Sequence, residues 1–76
     1  MTATPPVILY TTTGCPFCDA RRVALVARGV PWREVNVSER PEAIAELMKV
    51  TRGRRIVPVE VEGARITIAP HGGSSF

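Results

Sequence analysis

The sequence is poor in several residue types, and each shortage excludes a class of protein. Its 76 residues include two cysteines, one histidine, one tryptophan, one tyrosine and two phenylalanines. Two cysteines cannot build the disulfide framework of a small secreted protein. No segment approaches the ~20 apolar residues of a membrane-spanning helix, and residues 1–6 have neither the basic cluster nor the apolar run of a signal peptide. We therefore expect a cytoplasmic protein that does not use a membrane.

Positive charge is in modest excess, with a formal net charge of +3 at pH 7. The basic residues are dispersed apart from one dense cluster, which consists of Arg52, Arg54 and Arg55. Segments that bind nucleic acid interleave basic and aromatic residues, and this chain has no such stripe. We interpret the charge as a solvated surface and expect no nucleic acid partner. The composition, 45% hydrophobic and 22% charged, is typical of a single globular domain over residues 1–76.

The first half of the chain predicts a strand followed by a helix. Residues 7–10 form a short apolar run before a Thr/Gly stretch, which is typical of a buried strand. The helix is predicted from Pro16, whose fixed φ suits a first turn, to Gly29, which favours a left-handed cap. Its inner stripe is predicted at the i, i+3, i+4 and i+7 positions Ala20, Val23, Ala24 and Ala27.

The second half predicts a strand at 32–37, a helix that opens at 38–41 and ends before Gly53, and a hairpin turning about Glu62-Gly63. The inner stripe of this helix is predicted at Ile44, Leu47, Met48 and Thr51. Successive βα units make the first two strands parallel. We therefore expect an α/β domain of order β-α-β-α-β-β with a four-stranded mixed sheet, followed by a flexible tail at 71–76.

The two cysteines, Cys15 and Cys18, pose the main chemical question. Zinc requires four ligands, and the chain offers only His71 as a further soft ligand, so one chain cannot close a zinc site. A zinc or iron–sulfur site shared between two chains stays open as an alternative. A structural disulfide would close a ring of four residues, which removes little entropy from the unfolded chain.

A redox role has a physical basis in the predicted helix start. A helix beginning at Pro16 makes Cys15 the N-cap residue, where unpaired N–H groups and the helix dipole favour a thiolate. Cys18 lies one turn further on the same side, within reach of a disulfide. We expect Cys15 to be the exposed nucleophile and Cys18 the shielded resolving thiol. Pro16 stiffens the turn, and Phe17 offers an apolar flank for the incoming sulfur.

Pro58 is interpreted together with the cysteine pair. If the Val57-Pro58 bond is cis and lies opposite Cys15, the backbone of Val57 is free to pair with an extended thiol substrate.

Residues 7 to about 68 resemble the glutaredoxins, small members of the thioredoxin superfamily. The resemblance rests on "VILYTTTGCPFC", on Gly29 closing the helix, on "GRRIVP" and on the terminal hairpin. It implies a thioredoxin-like fold and places Arg54 near the glycyl carboxylate of glutathione. It also implies four further roles: nucleophile for Cys15, resolving thiol for Cys18, active-site aromatic for Phe17 and cis-proline clamp for Val57-Pro58.

The chain departs from the family pattern at several positions. Thr12, at the edge of the substrate site, stands where many glutaredoxins carry lysine, and Ile56 stands where they carry threonine. Gly72-Gly73 follow the proline later than the family's Gly-Gly element, so they are interpreted as part of the tail, with a backbone anion nest as the alternative. The family's final helix would follow, but the sequence stops at Phe76. We therefore expect a partly exposed sheet face or a dimer that covers it.

The resemblance implies a thiol-disulfide oxidoreductase that binds no cofactor or metal and reduces protein or glutathione mixed disulfides, with glutathione as the reductant. Thr12 and the displaced glycine pair favour an alternative, an electron carrier reduced by thioredoxin reductase. A second alternative is a non-enzymatic metal or iron–sulfur carrier that uses the same thiols in a dimer. The expected partners are glutathione, disulfide-containing proteins and one of the two reductase systems, and the expected state is a monomer or weak dimer.

Overall fold

The computed structural model of the chain describes residues 7–76; residues 1–6, where the sequence predicts no signal peptide, lie outside the described residues. The elements in the described range are β1 (Val7–Thr11), α1 (Pro16–Arg28), β2 (Trp32–Asn36), α2 (Ile44–Thr51), β3 (Ile56–Val57), β4 (Val59–Glu62), β5 (Arg65–Ile68) and β6 (Ser74–Ser75). A sheet of order β2-β1-β4-β5 has β1 and β2 parallel and its other neighbours antiparallel. The predicted four-stranded mixed sheet is thus confirmed. Neither helix in this range is long and apolar enough to cross a membrane.

The β1-α1-β2 unit forms as predicted, because its boundary residues suit both ends of the helix. Pro16 occupies the first position of α1, where the N–H that it lacks would have no helical partner. Gly29 ends the helix with a left-handed φ of 68°, and its N–H donates to the Val26 carbonyl at 3.1 Å. The start of α1 therefore lies just beyond the carboxyl end of β1, at one edge of the sheet.

The buried face of α1 differs from the predicted one. Val23 is 69% exposed, and Ala20 and Ala27 are exposed as well. The fully buried residues of the helix are Cys18 and Leu25. The predicted stripe at Ala20, Val23, Ala24 and Ala27 is therefore wrong, with only Ala24 half-buried.

The reason is that α1 turns arginines toward the sheet. Three of them pair with glutamates on the strands: Arg21 with Glu60, Arg22 with Glu34, and Arg28 with Glu62. Glu34 accepts two hydrogen bonds from Arg22, at 2.6 and 2.7 Å, and one from the Thr11 hydroxyl at 2.8 Å. A pattern of apolar residues cannot predict this face, because long arginine stems cover the sheet while their charged heads meet carboxylates.

Two apolar clusters hold the helices against opposite faces of the sheet. Leu25 of α1 packs on Val7 and Leu9. On the other face, Leu47 of α2 packs on Tyr10 in a cluster that contains both cysteines. The predicted inner stripe of α2 is confirmed, since Leu47 and Thr51 are buried and Ile44 and Met48 are half-buried. The helix begins later than predicted, after a 3₁₀ turn at Pro41–Ala43.

The predicted hairpin forms from β4 and β5, with its turn at 63–64 rather than at 62–63. The predicted order β-α-β-α-β-β lacks two strands, because the chain breaks at Pro58 and β3 pairs with β6 in a separate two-stranded sheet. Its surface on the α1 side is polar. Glu60, Glu62, Arg65 and Thr67 line a cleft of about 390 Å³ there, together with Pro70 and two arginines of α1. The sheet face that we expected to be exposed is therefore open but lined by ion pairs, so it does not need an apolar cover.

The segment 71–76 is not a loose tail, so that prediction is wrong. Its strand β6 pairs antiparallel with β3, and Val57 lies opposite Ser74. The Arg55 side chain donates to the Phe76 main-chain oxygen at 2.6 Å, and its guanidinium lies 4.8 Å from the centre of the Phe76 ring. Backbone pairing and this cation–π contact hold the segment against the domain.

Replacing Leu25 should destabilise the fold far more than replacing Val23. Leu25→Ala leaves a cavity under α1 and is expected to lower the free energy of unfolding by about 3 kcal/mol. Val23→Ala removes an exposed side chain and is expected to change it by less than about 0.5 kcal/mol. Urea unfolding of both variants measures the difference, and similar costs would contradict the orientation of α1.

Loss of the Glu34 charge should destabilise the protein in a pH-dependent way. The hydrogen bonds from Arg22 lower the pKa of Glu34, so its contribution is present above the unfolded pKa and is lost as the pH falls through the folded pKa. Glu34→Gln is expected to cost about 1 kcal/mol at pH 7. Urea unfolding at a series of pH values should show this cost shrinking below pH 4.5, the ordinary glutamate value. The exposed Glu39→Gln is the control, and a pH-independent cost for Glu34→Gln would refute the charge assignment.

Candidate active site

Cys15 is the N-cap of α1, as the sequence predicts. Its backbone is extended, with φ −95° and ψ 107°, and its sulfur accepts a hydrogen bond from the N–H of Cys18 at 3.2 Å. Because Pro16 has no N–H, the first N–H groups of the helix come from Phe17 and Cys18. The sulfur therefore takes the position in which serine or aspartate oxygens cap other helices.

Both cysteines are free and buried, with 3% of Cys15 and 0% of Cys18 exposed. The prediction of an exposed nucleophile is therefore wrong. Cys15 is covered because it packs in the same cluster as Val57, and Ser74 of β6 lies opposite Val57. Phe17 follows the prediction and is 39% exposed, so its ring forms part of the rim of the site.

The surroundings of Cys15 favour its thiolate. Burial raises the pKa of the Cys15 thiol. This effect is outweighed by hydrogen bonding, which lowers the pKa and comes from the side chains of Cys18 and Ser74 and from the N–H groups of Cys18 and Phe17. The net shift of the pKa is downward. A hydrogen bond donated to the sulfur, such as that of the Cys18 N–H at 3.2 Å, stabilises the negatively charged thiolate more than the neutral thiol. The result is a nucleophile that ionises more readily than an ordinary cysteine.

Cys18 has the opposite properties. Burial, the hydrogen bond to Cys15 and the negative charge of Cys15 raise the pKa of Cys18 to about 12, against smaller lowering effects of the Thr12 backbone and Arg22. Cys18 therefore stays a protonated thiol in the pH range in which Cys15 ionises. Thr12 is buried and affects the site through its backbone.

The Val57-Pro58 peptide bond is cis, as the sequence predicts for a cysteine site of this kind. Both residues are buried, and Val57 packs in the cluster that contains the cysteines. One edge of β3 is occupied by β6, with Ser74 opposite Val57. Pairing of the Val57 backbone with a substrate at the other edge stays a prediction.

Gly72 and Gly73 lie against the site rather than in a tail. A Cβ added to Gly72 would lie 2.9 Å from the Phe17 ring, and one added to Gly73 would lie 2.5 Å from the Val57 carbonyl oxygen. Gly72 also has a left-handed φ of 108°. Only glycine allows the chain to pass this close to Phe17 and β3.

One residue beside the site was missed from the sequence, and the predicted role of another has no test in the structure. Ser74 was missed, since it lies in a segment that resembles a tail, and the Gly-Gly pair before it was the one signal that could have found it. The guanidinium of Arg54 makes no hydrogen bond or ion pair within residues 7–76. The main-chain carbonyl of Arg54 accepts a hydrogen bond from the Thr51 hydroxyl at 2.7 Å. Its contact with a glutathione carboxylate stays a prediction.

The described part of the chain has no cluster of three His, Cys, Asp or Glu side chains that could hold a metal ion. The polar cleft beside α1 contains neither cysteine, nor Phe17, nor Pro58. The chemistry is therefore concentrated at the start of α1, where Cys15 and Cys18 differ in their ionisation.

A parallel βαβ unit with two cysteines in the first turn of its helix, packed beside a cis-proline, defines a dithiol domain of the thioredoxin-like class. The family model for glutaredoxin matches residues 7–61. The chain belongs to the glutaredoxin family.

Individual relatives agree with this assignment. A glutaredoxin from Pseudomonas aeruginosa is 40% identical over 45 residues, which are 59% of this chain and 54% of that protein. The N-acetyl-S-hydroxy-L-cysteine reductase of Bacillus subtilis is 30% identical over 53 residues, 70% of this chain and 56% of that protein. The chain thus spans about half the length of the curated relatives it matches. The crystal structure of a glutaredoxin from Archaeoglobus fulgidus superimposes with a TM-score of 0.76 at 23% identity, covering 96% of this chain and 79% of that one, and shows a shared fold.

Alkylation should distinguish the two thiols. With less than one equivalent of iodoacetamide at neutral pH, Cys15 is expected to carry at least about ten times more label than Cys18, because the thiolate is the reactive form. Peptide mapping by mass spectrometry gives the ratio. In denaturant, where both thiols have ordinary surroundings, the labels should become nearly equal. Equal labelling of the folded protein would contradict the assigned roles.

Proposed function

We propose that this chain is a thiol-disulfide oxidoreductase of the glutaredoxin type, which reduces protein or glutathione mixed disulfides through Cys15 and Cys18. The observation that carries the proposal is the unequal placement of the two thiols: the Cys15 sulfur caps α1 and accepts the Cys18 N–H at 3.2 Å, whereas Cys18 is fully buried one turn further on. This placement lowers the pKa of Cys15 and raises that of Cys18 to about 12. Membership in the glutaredoxin family supports the same reaction. Because free thiols persist in a reducing compartment, we place this activity in the cytoplasm.

The first step uses the Cys15 thiolate. It attacks one sulfur of the substrate disulfide, a new S–S bond forms between Cys15 and that sulfur, and the other substrate sulfur leaves as a thiolate. The ring of Phe17, which is 39% exposed at the rim, offers an apolar surface beside the attacking sulfur. The groups that stabilise the Cys15 thiolate are neutral hydrogen-bond donors, so the negative charge stays on the sulfur that attacks the disulfide.

The second step uses Cys18. Two of the effects that raise its pKa, the hydrogen bond to Cys15 and the charge of Cys15, end once Cys15 is in the mixed disulfide. Cys18 then loses its proton to solvent or to the leaving thiolate and attacks the Cys15 sulfur. The substrate leaves reduced, and the Cys15–Cys18 disulfide holds the two oxidising equivalents until a reductant returns the dithiol.

Glutathione is our first choice of reductant. The basic residues Arg54 and Arg55 are exposed, and Gly72-Gly73 line the site beside Phe17. An arginine fork suits a carboxylate, and glutathione carries two. The buried Thr12, where many glutaredoxins have lysine, favours the alternative donor, thioredoxin reductase.

A coupled assay of NADPH oxidation tests the reaction and its donor together. One arm contains glutathione and glutathione reductase, and the other contains thioredoxin reductase, each with a low-molecular-weight disulfide. We expect turnover in the glutathione arm, none above the buffer rate for Cys15→Ser, and unchanged turnover for Ser75→Ala. Turnover in the thioredoxin reductase arm alone would replace glutathione as donor and keep the dithiol mechanism. Full activity of Cys15→Ser would refute the mechanism.

The role of Cys18 needs two substrates. Cys18→Ser is expected to lose the reduction of protein disulfides, which requires the second thiol of the pair. It should keep the reduction of a glutathione mixed disulfide, because free glutathione can attack the Cys15–glutathione bond in its place. Measuring both rates on one preparation separates the two functions, and equal losses on both substrates would contradict the resolving role.

The Bacillus relative named for reduction of an S-hydroxy cysteine derivative suggests a second substrate class. Attack of the Cys15 thiolate on a sulfur that carries a hydroxyl would expel hydroxide and give a mixed disulfide of the same kind. Cys18 would resolve it in the same way, so the same assay with an S-hydroxy thiol as oxidant measures this activity.

A further inference from the structure

The strand β6 brings a hydroxyl group to the nucleophile that the mechanism above does not use. Ser74 lies opposite Val57 in the pairing of β3 and β6, beside the cis-proline. Directly opposed residues of paired strands share one face, so the Ser74 side chain lies on the side of Val57, which packs in the cluster that contains Cys15. The proximity of Ser74 lowers the pKa of Cys15. Cys15 is 3% exposed, so this contact is shielded from water. A hydrogen bond in such a place is electrostatically stronger than one in solvent.

The backbone of the segment accounts for the direction of this hydroxyl. Successive side chains of an extended chain point to opposite sides, so alternate residues share one side. Ser74 shares its side with Gly72, which lies against the Phe17 ring, and with Phe76, which packs on the cluster that contains Cys15. Ser75 belongs to the other side and is exposed. The segment therefore presents Ser74, and not Ser75, to the site.

We propose that Ser74 is a further catalytic residue, whose hydroxyl donates a hydrogen bond to the Cys15 thiolate and increases the fraction of Cys15 in its reactive form. The proposal deepens the proposed function, on which it rests for the role of Cys15. It assigns to a neutral donor from β6 the stabilising task that a neighbouring cation performs in other thiol sites.

The other groups around the sulfur are consistent with stabilisation by neutral donors. From α1, the thiol of Cys18 and the N–H groups of Cys18 and Phe17 face Cys15, and all of them lower its pKa without carrying a charge. The charged Arg22 of α1 acts on Cys18 and is held by Glu34. Since salt screens charges but hardly affects a buried neutral donor, the reactivity of Cys15 should depend little on ionic strength.

The test is the pH profile of Cys15 alkylation by iodoacetamide, from about pH 4 to about pH 10, across the range of perturbed thiols. In Ser74→Ala the rate on the acidic side should fall about two- to fivefold, because one neutral hydrogen bond changes the ionised fraction by up to about fivefold and the more reactive thiolate offsets part of it. At alkaline pH, where Cys15 is ionised in every variant, the rate should be equal or higher, because a thiolate with fewer hydrogen bonds is the better nucleophile. Ser75→Ala should follow the unmodified protein at every pH.

A pair of substitutions with nearly the same shape removes the question of folding. Ser74→Thr keeps the hydroxyl and should preserve the profile, whereas Ser74→Val lacks it and should behave like Ser74→Ala. Profiles that coincide for the Thr and Val variants would overturn the proposal. A Ser74→Ala variant that reacts faster at every pH would overturn it too, since β6 would then be only a cover. Alkylation needs no disulfide substrate or reductant, so its outcome is independent of whether the proposed turnover is observed.

Discussion

The hydrogen bond from the Cys18 N–H to the Cys15 sulfur is the contact on which the rest of the site depends. A helix begins with N–H groups that have no partner within the helix, and here a sulfur supplies an acceptor for one of them at 3.2 Å. The same bond stabilises the start of α1 and the negative charge of the thiolate. The contact that forms when α1 folds after β1 is therefore also the contact that stabilises the Cys15 thiolate.

The two thiols diverge because they share this environment unequally. Cys15 receives hydrogen bonds at the helix start, and Cys18 lies one turn deeper, where burial and the neighbouring negative charge keep it protonated. Each thiol increases the difference between the two pKa values. Cys18 donates a hydrogen bond that lowers the pKa of Cys15, and the negative charge of Cys15 raises the pKa of Cys18. A dithiol built in this way reacts first at Cys15 and uses Cys18 only after the charge on Cys15 has been consumed.

The position of α1 is secured by polar contacts as much as by apolar ones. Leu25 packs on Val7 and Leu9, but arginines on either side of it pair with glutamates of the sheet. Ion pairs of this kind have direction, so they fix the rotation of the helix about its axis and with it the direction of the cysteines. On the opposite side of the site, β6 completes the surroundings of Cys15 with a backbone pairing to Val57 and a hydroxyl from Ser74.

Local signals in the sequence determined the elements of the four-stranded sheet, both ends of α1 and the N-cap position of Cys15. Each of these follows from neighbouring residues: Pro16 and Gly29 delimit a helix wherever it packs, and a cysteine before Pro16 meets free N–H groups. The cis-proline was predicted from its combination with the distant cysteine pair. The tertiary structure alone decided which face of α1 is buried, because Arg22 and Glu34 meet only after the sheet has formed. It also decided that Cys15 is covered and that Ser74 reaches it, since a pairing between β3 and β6 joins segments whose own residues, Ile56-Val57 and Ser74-Ser75, are too few to predict a strand partner.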